Sequence, residues 1–164
     1  MTENPNSSRV TLQQDLSRGP LPKEEFDRIY SRVPRLTAEL VIATPQRGVL
    51  LQLRDTEPCK GTWSLPGGTV RFGEPATRAV ERVARDELGV SATVGAFLGY
   101  IEYPSHYMNG LDSPVGLAFA TKIPDEAALP PHCRWFTELP GDMHDEQKTF
   151  IAQRIRTPHR SLYG

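Results

Sequence analysis

The chain has 164 residues, which suits one domain with its own hydrophobic core and is too short to suggest two. Its formal net charge of −1, with 38% hydrophobic and 24% charged residues, indicates a globular protein and argues against nucleic acid as a partner, because dedicated nucleic-acid binders carry a basic excess. Neither a membrane-spanning apolar run nor a secretory leader is apparent, and Cys59 and Cys133 match no metal-binding Cys-x-x-Cys spacing, so we expect a cytoplasmic protein without a membrane contact or a metal-thiolate site.

The N-terminal part divides into a tail and a short helix. Residues 1–20 mix Asn, Ser, Pro and Gly with little apolar content, so we expect a flexible tail followed by a single domain over residues 21–164. Pro22 opens a predicted helix over residues 22–33, with acidic residues in its first turn and Pro34 after its end. This helix and the tail are the candidate contacts for a homodimer.

The middle of the chain is rich in strand patterns. Residues 36–55 read as two strands of a hairpin around a turn from Pro45 to Gly48. Further strands are predicted over residues 62–66, 91–103, 115–123 and 132–139, with a closing helix over residues 145–156. The residues from 103 to 112 are predicted as a long loop between two of these strands. The pattern favours an α/β fold with a mixed central sheet between helices.

One amphipathic helix is predicted from Pro75 to Leu88. Its apolar residues recur at helical spacing, and Gly89 follows where a C-cap glycine would lie. The apolar positions are Ala76, Ala79, Val80, Val83, Ala84 and Leu88.

Charged residues around this helix have the spacing of a metal-assisted site that cleaves diphosphates. After the Gly67-Gly68 turn, the series continues with Glu74, Arg82, Asp86 and Glu87. Mg²⁺ prefers oxygen ligands, so the predicted ligands are the carboxylates of Asp86 and Glu87 and a main-chain carbonyl at Gly67 or Gly68. Arg82 can hold a carboxylate in place, and Glu74 can serve at the helix N-terminus. Taken singly, each residue also has a structural explanation, as a helix cap, a surface ion pair or a turn.

The spacing resembles the Nudix signature, which reads Gly, five residues, Glu, seven residues, then Arg-Glu-U-x-Glu-Glu-x-Gly-U, where U is bulky and aliphatic. The likeness extends over about residues 36–155 and includes WSLPGG and RWFTELP. It implies a Nudix-like α/β/α sandwich and a hydrolase of a nucleoside diphosphate linked to another moiety. It also implies that Mg²⁺, or Mn²⁺ in its place, is required and that Arg82 and Glu87 are catalytic. The chain departs from the signature at Val83, where the first glutamate of the cluster belongs.

The departure at Val83 favours one branch of the family. Val83 is four residues before Glu87 on the same helical face, so we expect fewer carboxylates and one firmly bound Mg²⁺. A single ion suits attack at a sugar carbon better than attack at phosphorus. The thinned cluster resembles GDP-mannose mannosyl hydrolase, which implies a nucleotide sugar as substrate and substrate contacts at Glu39 and Arg54. Thr69 departs from that branch, which has arginine there.

Two further sets of residues complete the predicted site. The general base implied by the same resemblance is His132, whose imidazole titrates near neutral pH and which precedes an Arg-Trp pair. Tyr103 and His106 are predicted to bind substrate, because a loop dense in aromatic and polar groups often lines a ligand pocket.

Two alternatives remain open at the level of sequence. Attack at phosphorus would use Asp86 and Glu87 with an acid from elsewhere in the chain, such as Glu102. A catalytically inactive module would retain the fold and bind nucleotide without turnover, having lost activity with the glutamate that Val83 replaces.

Overall fold

The structure is a computed structural model that describes residues 20–155. The elements in chain order are α1 (Lys23–Tyr30), β1 (Arg35–Val41), β2 (Ala43–Thr44), β3 (Gly48–Leu53), β4 (Trp63–Ser64), β5 (Gly67–Thr69), α2 (Ala76–Leu88), β6 (Thr93–Glu102), α3 (Pro104–Met108), β7 (Pro114–Lys122), β8 (Cys133–Phe136) and α4 (Asp145–Ile155). The predicted tail lies outside the described residues apart from Pro20. No helix within the described range is long and apolar enough to cross a membrane.

Two sheets form the centre of the molecule. The first has the strand order β5-β1-β7-β6, in which β1 and β7 run parallel and the other neighbours are antiparallel. In the second sheet, β3 pairs antiparallel with β2, β4 and β8. One cluster of buried residues includes side chains of α2, and another includes side chains of α4. The predicted α/β fold with a mixed sheet and an α/β/α arrangement is therefore confirmed.

Helix α2 forms because its apolar side chains lie on one face and can be buried together. The buried ones are Ala79, Val80, Val83, Ala84 and Leu88. Gly89 ends the helix in the left-handed region, with φ of +68°, and its N–H donates to the carbonyl of Arg85 over 3.1 Å. The last turn of the helix carries Glu87. It is therefore held by core packing on its apolar face and by the Gly89 hydrogen bond at its C-terminus.

The predicted hairpin over residues 36–55 is shorter than expected. Strand β1 pairs with β5 and β7 in the first sheet, and the chain then crosses to the second sheet, where only the two-residue β2 pairs with β3. Residues from Thr37 to Ala43 are all buried, so their apolar pattern could not show which strand would lie beside β1.

The predicted loop from residue 103 to 112 contains helix α3. Pro104 occupies its first turn, where a missing N–H costs nothing, and the backbone N–H of Asn109 donates to the carbonyl of His106 over 3.2 Å. A five-residue helix is too short to display a 3.6-residue period in sequence. Its formation places His106 in the interior, with only 8% of its surface exposed.

Candidate functional site

A cleft with a volume of about 70 Å³ is lined by all four predicted substrate-binding residues. The predicted residues that line it are Glu39, Arg54, Gly67, Gly68, Tyr103 and His106. Lining residues that the sequence did not single out are Arg35, Thr37, Gln52, His144 and Gln147, among others. The predicted residues Arg82, Asp86, Glu87 and His132 do not line it.

Glu39 is a buried acid in the middle of β1. It is 6% exposed, accepts a hydrogen bond from the Thr37 hydroxyl over 2.8 Å and lies 3.4 Å from the Gln147 side-chain amide. Burial raises the pKa of Glu39 to about 7, an effect to which the charge of Glu87 adds and which the hydrogen bonds from Thr37 and Tyr103 oppose. The fold therefore holds a carboxyl group of perturbed acidity at the cleft, and Glu87 is near enough to influence it.

Glycines on the neighbouring strands provide the space that Glu39 occupies. A Cβ at Gly67 would lie 2.4 Å from Glu39 Oε2, and a Cβ at Gly116 would lie 2.7 Å from Glu39 Cγ. Such distances are well inside van der Waals contact, so a larger residue on either strand would displace the carboxylate. Gly67 is thus needed for the close approach of strand β5 to the acid on β1.

Glu87 lies in the last turn of α2 and is half-buried. Its carboxylate accepts hydrogen bonds from the Gln52 side-chain amide over 2.7 Å and from the backbone N–H of Gly67. Burial raises the pKa of Glu87, while those hydrogen bonds and the positive charges of Arg54 and His132 lower it. Because Gln52 and Gly67 both line the cleft, Glu87 is held at its edge.

Arg82 connects helix α2 to the residues that precede it. Its guanidinium donates to both carboxylate oxygens of Glu74, over 2.7 and 2.9 Å, and to the carbonyl of Thr69 over 2.9 Å. The predicted partner Asp86 is 3.7 Å away and has a side chain that is 54% exposed. Glu74 accepts a hydrogen bond from the backbone N–H of Arg71 instead of capping the helix. These contacts fix the loop that follows Gly68.

Val83 belongs to the core rather than to the cleft. It is 1% exposed and packs with the apolar side chains of α2, and its Cγ2 would lie 3.0 Å from a Cβ at Gly68. The position that carries a glutamate in the Nudix signature is thus filled by a methyl group directly beneath the glycine turn.

The predicted base and the alternative acid lie outside the cleft lining. His132 is exposed just before β8, where its carbonyl accepts a hydrogen bond from the backbone N–H of Leu53 over 2.8 Å. It is near enough to Glu87 to lower the pKa of that carboxyl. Glu102 is exposed on β6. Glu102, the acid considered as a partner for Glu87, is therefore not at the cleft, whereas Glu39, predicted as a substrate contact, lines it.

The donor set for a divalent ion differs from a full carboxylate cluster. Among residues 20–155, neither Asp86 nor Glu87 belongs to a group of three Asp, Glu, His or Cys ligand atoms within 4.8 Å of one another. Glu39, on β1, and Glu87, on α2, instead both approach Gly67, and burial raises the pKa of each carboxyl. Mg²⁺ is commonly held by one or two carboxylates completed by substrate phosphates, so these residues fit the ion.

Two glutamines that the sequence did not single out organise the acids. Gln147, on α4, accepts the backbone N–H of Leu65 over 2.8 Å and donates to the Tyr103 hydroxyl over 2.9 Å. Gln52, on β3, holds Glu87. An uncharged amide carries no spacing signal, whether in the apolar run of β3 or among the charged residues that begin α4, so only the packed structure identifies these residues.

Comparison with known proteins gives a consistent result. A family model described as NUDIX domain matches residues 33–149. The chain is 41% identical over 105 residues to the low-salt glycan biosynthesis protein Agl8 of Haloferax volcanii, an alignment that covers 63% of this chain and 67% of that protein. It is 37% identical over 62 residues to the ADP-ribose pyrophosphatase of Methanocaldococcus jannaschii, covering 38% of this chain and 37% of that protein. The fold is similar to the MutT NUDIX hydrolase of Burkholderia pseudomallei, with a TM-score of 0.65, 27% identity and coverage of 74% of this chain and 98% of that one.

Proposed function

Because the chain belongs to the Nudix family, we propose that it is a Mg²⁺-dependent hydrolase of a nucleoside diphosphate derivative, with a nucleotide sugar favoured over a free triphosphate. The observation that carries the proposal is the half-buried Glu87, which lies beside Gly67 at the edge of the cleft. Arg35 and Arg54 line the same cleft. One relative is named for glycan biosynthesis and another for the cleavage of ADP-ribose. Both names suit a substrate in which a nucleoside diphosphate carries a sugar.

The residues proposed to hold Mg²⁺, or Mn²⁺ in its place, are Glu87, Asp86 and the carbonyls of Gly67 or Gly68. When bound, the ion would offset the negative charge of the diphosphate and of the departing group. Glu87 is preset for this role, because Gln52 and the Gly67 N–H orient its carboxylate. Asp86 is exposed and would turn toward the ion from outside the cleft.

The remaining residues bind and orient the substrate. Arg54 is proposed to contact the phosphates and Glu39 to accept a hydrogen bond from a substrate hydroxyl, with Tyr103 and His106 along the cleft wall. His132 is the proposed base, and its exposure on a loop gives it access to water. Arg82 is proposed to act through Glu74 and Thr69, which it holds, and so to position the glycine turn for the reaction.

We favour attack at a sugar carbon, as in the GDP-mannose mannosyl hydrolase branch. The buried Val83 supports this, because it removes one carboxylate from the face that would hold stacked cations. Attack at carbon requires only that the departing nucleoside diphosphate be stabilised. Attack at phosphorus is the second candidate, and the place of Glu39 beside Gly67 favours it, because Glu39 would supply the second acid from β1 instead of Glu102.

Hydrolysis in water labelled with heavy oxygen separates the two routes. Nucleotide sugars, dinucleotides and triphosphates are incubated with Mg²⁺, and the products are examined by mass spectrometry. Label in the released sugar together with an unlabelled nucleoside diphosphate is the expected result. Label in a phosphate would mean attack at phosphorus and would replace the favoured route with the second candidate.

Substitution of Glu87 by Gln tests whether the proposed site performs the reaction. We expect Glu87→Gln to reduce Mg²⁺-dependent turnover by at least about 100-fold, since it removes a carboxylate proposed to hold the Mg²⁺ that would offset the negative charge of the departing group. The matched control is Glu81→Gln on the same helix, where Glu81 pairs over 2.8 Å with the exposed Arg78. Ligand-induced stabilisation without turnover by the unaltered protein would support the inactive nucleotide-binding module instead.

A further inference from the structure

Three side chains with metal-ligating atoms meet beside the cleft, and the proposed diphosphate chemistry requires none of them as a metal ligand. The Sγ of Cys59 lies 4.0 Å from Nε2 of His106, and the ligand atoms of Cys59, His106 and His144 all lie within 4.8 Å of one another. Cys59 comes from the loop between β3 and β4, His106 from α3, and His144 from the residue before α4. The fold therefore brings three separate segments of the chain together at one point.

Each histidine has a carboxylate next to its Nδ1. The Nδ1 of His106 is 3.1 Å from Oδ1 of Asp112, which is itself held by an ion pair with Arg35. The Nδ1 of His144 is 3.6 Å from a carboxylate oxygen of Glu146. The hydrogen bond from Nδ1 to Asp112 fixes the His106 ring and leaves Nε2, the nitrogen nearest Cys59, as the ligand. Such outer carboxylates accompany most metal-ligating histidines.

The surroundings restrict the motion of the cluster. His106 and His144 are each 8% exposed, and their rings stack with centroids 5.3 Å apart. Cys59 has a φ of +69°, uncommon for a residue with a side chain, and its carbonyl accepts a hydrogen bond from the N–H of Thr62. The loop is also held by a hydrogen bond from Arg54 Nε to the carbonyl of Pro58 over 3.1 Å.

The separations suit one tetrahedral ion. Around zinc, with Zn–S of about 2.3 Å and Zn–N of about 2.0–2.1 Å, a sulfur and a nitrogen ligand lie about 3.6 Å apart. The observed 4.0 Å between Cys59 and His106 is within about half an ångström of that value. A thiolate with two imidazoles selects zinc or a similar borderline ion over Mg²⁺, which prefers oxygen ligands.

We propose that Cys59, His106 and His144 form a second metal site, which binds Zn²⁺ or a similar transition-metal ion with three protein ligands. The fourth position would be open to the cleft, since His106 and His144 both line it. A three-ligand set with an open position accepts a water molecule or an oxygen of a bound ligand. The site is separate from the Mg²⁺ ligands proposed on α2 and does not depend on the proposed reaction.

Co²⁺ is the probe for this site, because only a thiolate ligand produces an intense near-ultraviolet charge-transfer band. The full chain is stripped with a chelator and titrated with Co²⁺ in the presence of excess Mg²⁺. We expect one equivalent of Co²⁺ to generate the band and Zn²⁺ to remove it. Cys59→Ser should abolish the band, while the matched variant Cys133→Ser should retain it. His144→Gln should retain the band but weaken Co²⁺ binding by at least about 10-fold.

Three results would overturn the proposal. The first is the lack of a charge-transfer band in the unaltered protein, and the second is a band that survives Cys59→Ser. The third is Co²⁺ affinity that His144→Gln leaves unchanged. Circular dichroism of each stripped variant verifies that it is folded, so that loss of the band can be assigned to the ligand.

Discussion

At the residue scale, the proposed site depends on one buried acid, Glu39. Glu39 lies in a central strand, and its carboxyl group is satisfied by Thr37 and Tyr103 rather than by an ion pair at short distance. Burying a carboxyl group costs free energy unless hydrogen bonds compensate for lost water. A buried acid that carries this cost is a candidate functional residue, and the glycines on either side are what give it space.

Gly67→Ala tests this relation between the glycine turn and Glu39. The added methyl group would lie 2.4 Å from Glu39 Oε2 and 3.0 Å from the carbonyl of Ala38, so the carboxylate must move. We expect turnover to fall by at least about 10-fold, equivalent to about 1.4 kcal/mol in transition-state binding. Steady-state kinetics and the thermal melting temperature are measured together.

The control for this variant is Gly141→Ala, where a new Cβ would meet no atom within 4 Å. It should leave both turnover and melting temperature close to those of the unaltered protein. Full turnover by Gly67→Ala would mean that the position of Glu39 is not important for the reaction.

At the element scale, the sequence predicts α2 well and α3 poorly. The apolar positions of α2 repeat over more than three turns and end at Gly89, so its period and its stop signal agree. Helix α3 has a single turn, whose formation depends on packing. Hence the residues on α2 were located correctly within their helix, whereas the burial of His106 could not be foreseen.

The ion pair of Glu74 with Arg82, at the start of α2, should make the stability of the protein depend on pH in the acidic range. Hydrogen bonds from Arg82 lower the pKa of Glu74 below its ordinary value. A carboxylate with a lowered pKa in the folded state stabilises the fold above its unfolded pKa of about 4.3, and that stabilisation is lost as the pH falls through the folded value. We therefore expect the free-energy difference between the unaltered protein and Glu74→Gln to decrease from pH 5 downward.

Urea unfolding at several pH values between neutral and acidic measures this difference. Glu81→Gln is the matched control, because its ion pair with Arg78 lies at the surface and contributes little. A constant difference between Glu74→Gln and the unaltered protein at every pH would contradict the assignment of the pKa shift to Arg82.

At the scale of the whole molecule, the site results from contacts between distant parts of the chain. The residues around Glu39 come together because β1 pairs in parallel with β7, in register from Arg35 with Pro114 to Val41 with Ala120. The spacing from Gly68 to Glu87 is local and could be read in sequence. The antiparallel pairing of β1 with β5, which sets Glu39 opposite Gly67, also joins distant segments and has no local signal, so that approach could not be predicted. Nor could the convergence of Cys59, in the loop between β3 and β4, with His106 on α3.

Removal of residues 1–20 tests the predicted division into a tail and a single domain. Within the described range, residues 20–155, the core clusters and the cleft are formed by residues from Arg35 onward. We therefore propose that the shortened chain keeps its melting temperature within about 2 °C of the full chain and keeps its turnover. Light scattering on both chains would detect a homodimer and show whether the tail contributes to it. A large drop in melting temperature would show that these residues belong to the domain.

The two core clusters should unfold as one unit, although each packs against a different helix. Leu88 on α2 belongs to one cluster and Ile151 on α4 to the other, and both are 2% exposed or less. Truncation of either to Ala removes buried apolar surface and leaves a cavity, which costs about 2–5 kcal/mol. Leu111→Ala is the control, because that side chain is 41% exposed and its loss should cost under about 0.5 kcal/mol.

The sheets connect the clusters, since neighbouring residues of β1 enter different ones: Leu40 packs with the residues of α2 and Val41 with those of α4. Each variant should therefore shift a single cooperative transition, observed equally by near- and far-ultraviolet circular dichroism. The effects of the double variant Leu88→Ala/Ile151→Ala should add to within about 0.5 kcal/mol, as for distant sites. Two separate transitions in either single variant would show that the layers on α2 and α4 fold independently. The positions of Glu39 and Glu87 beside Gly67 would then depend on the interface between two layers rather than on one common core.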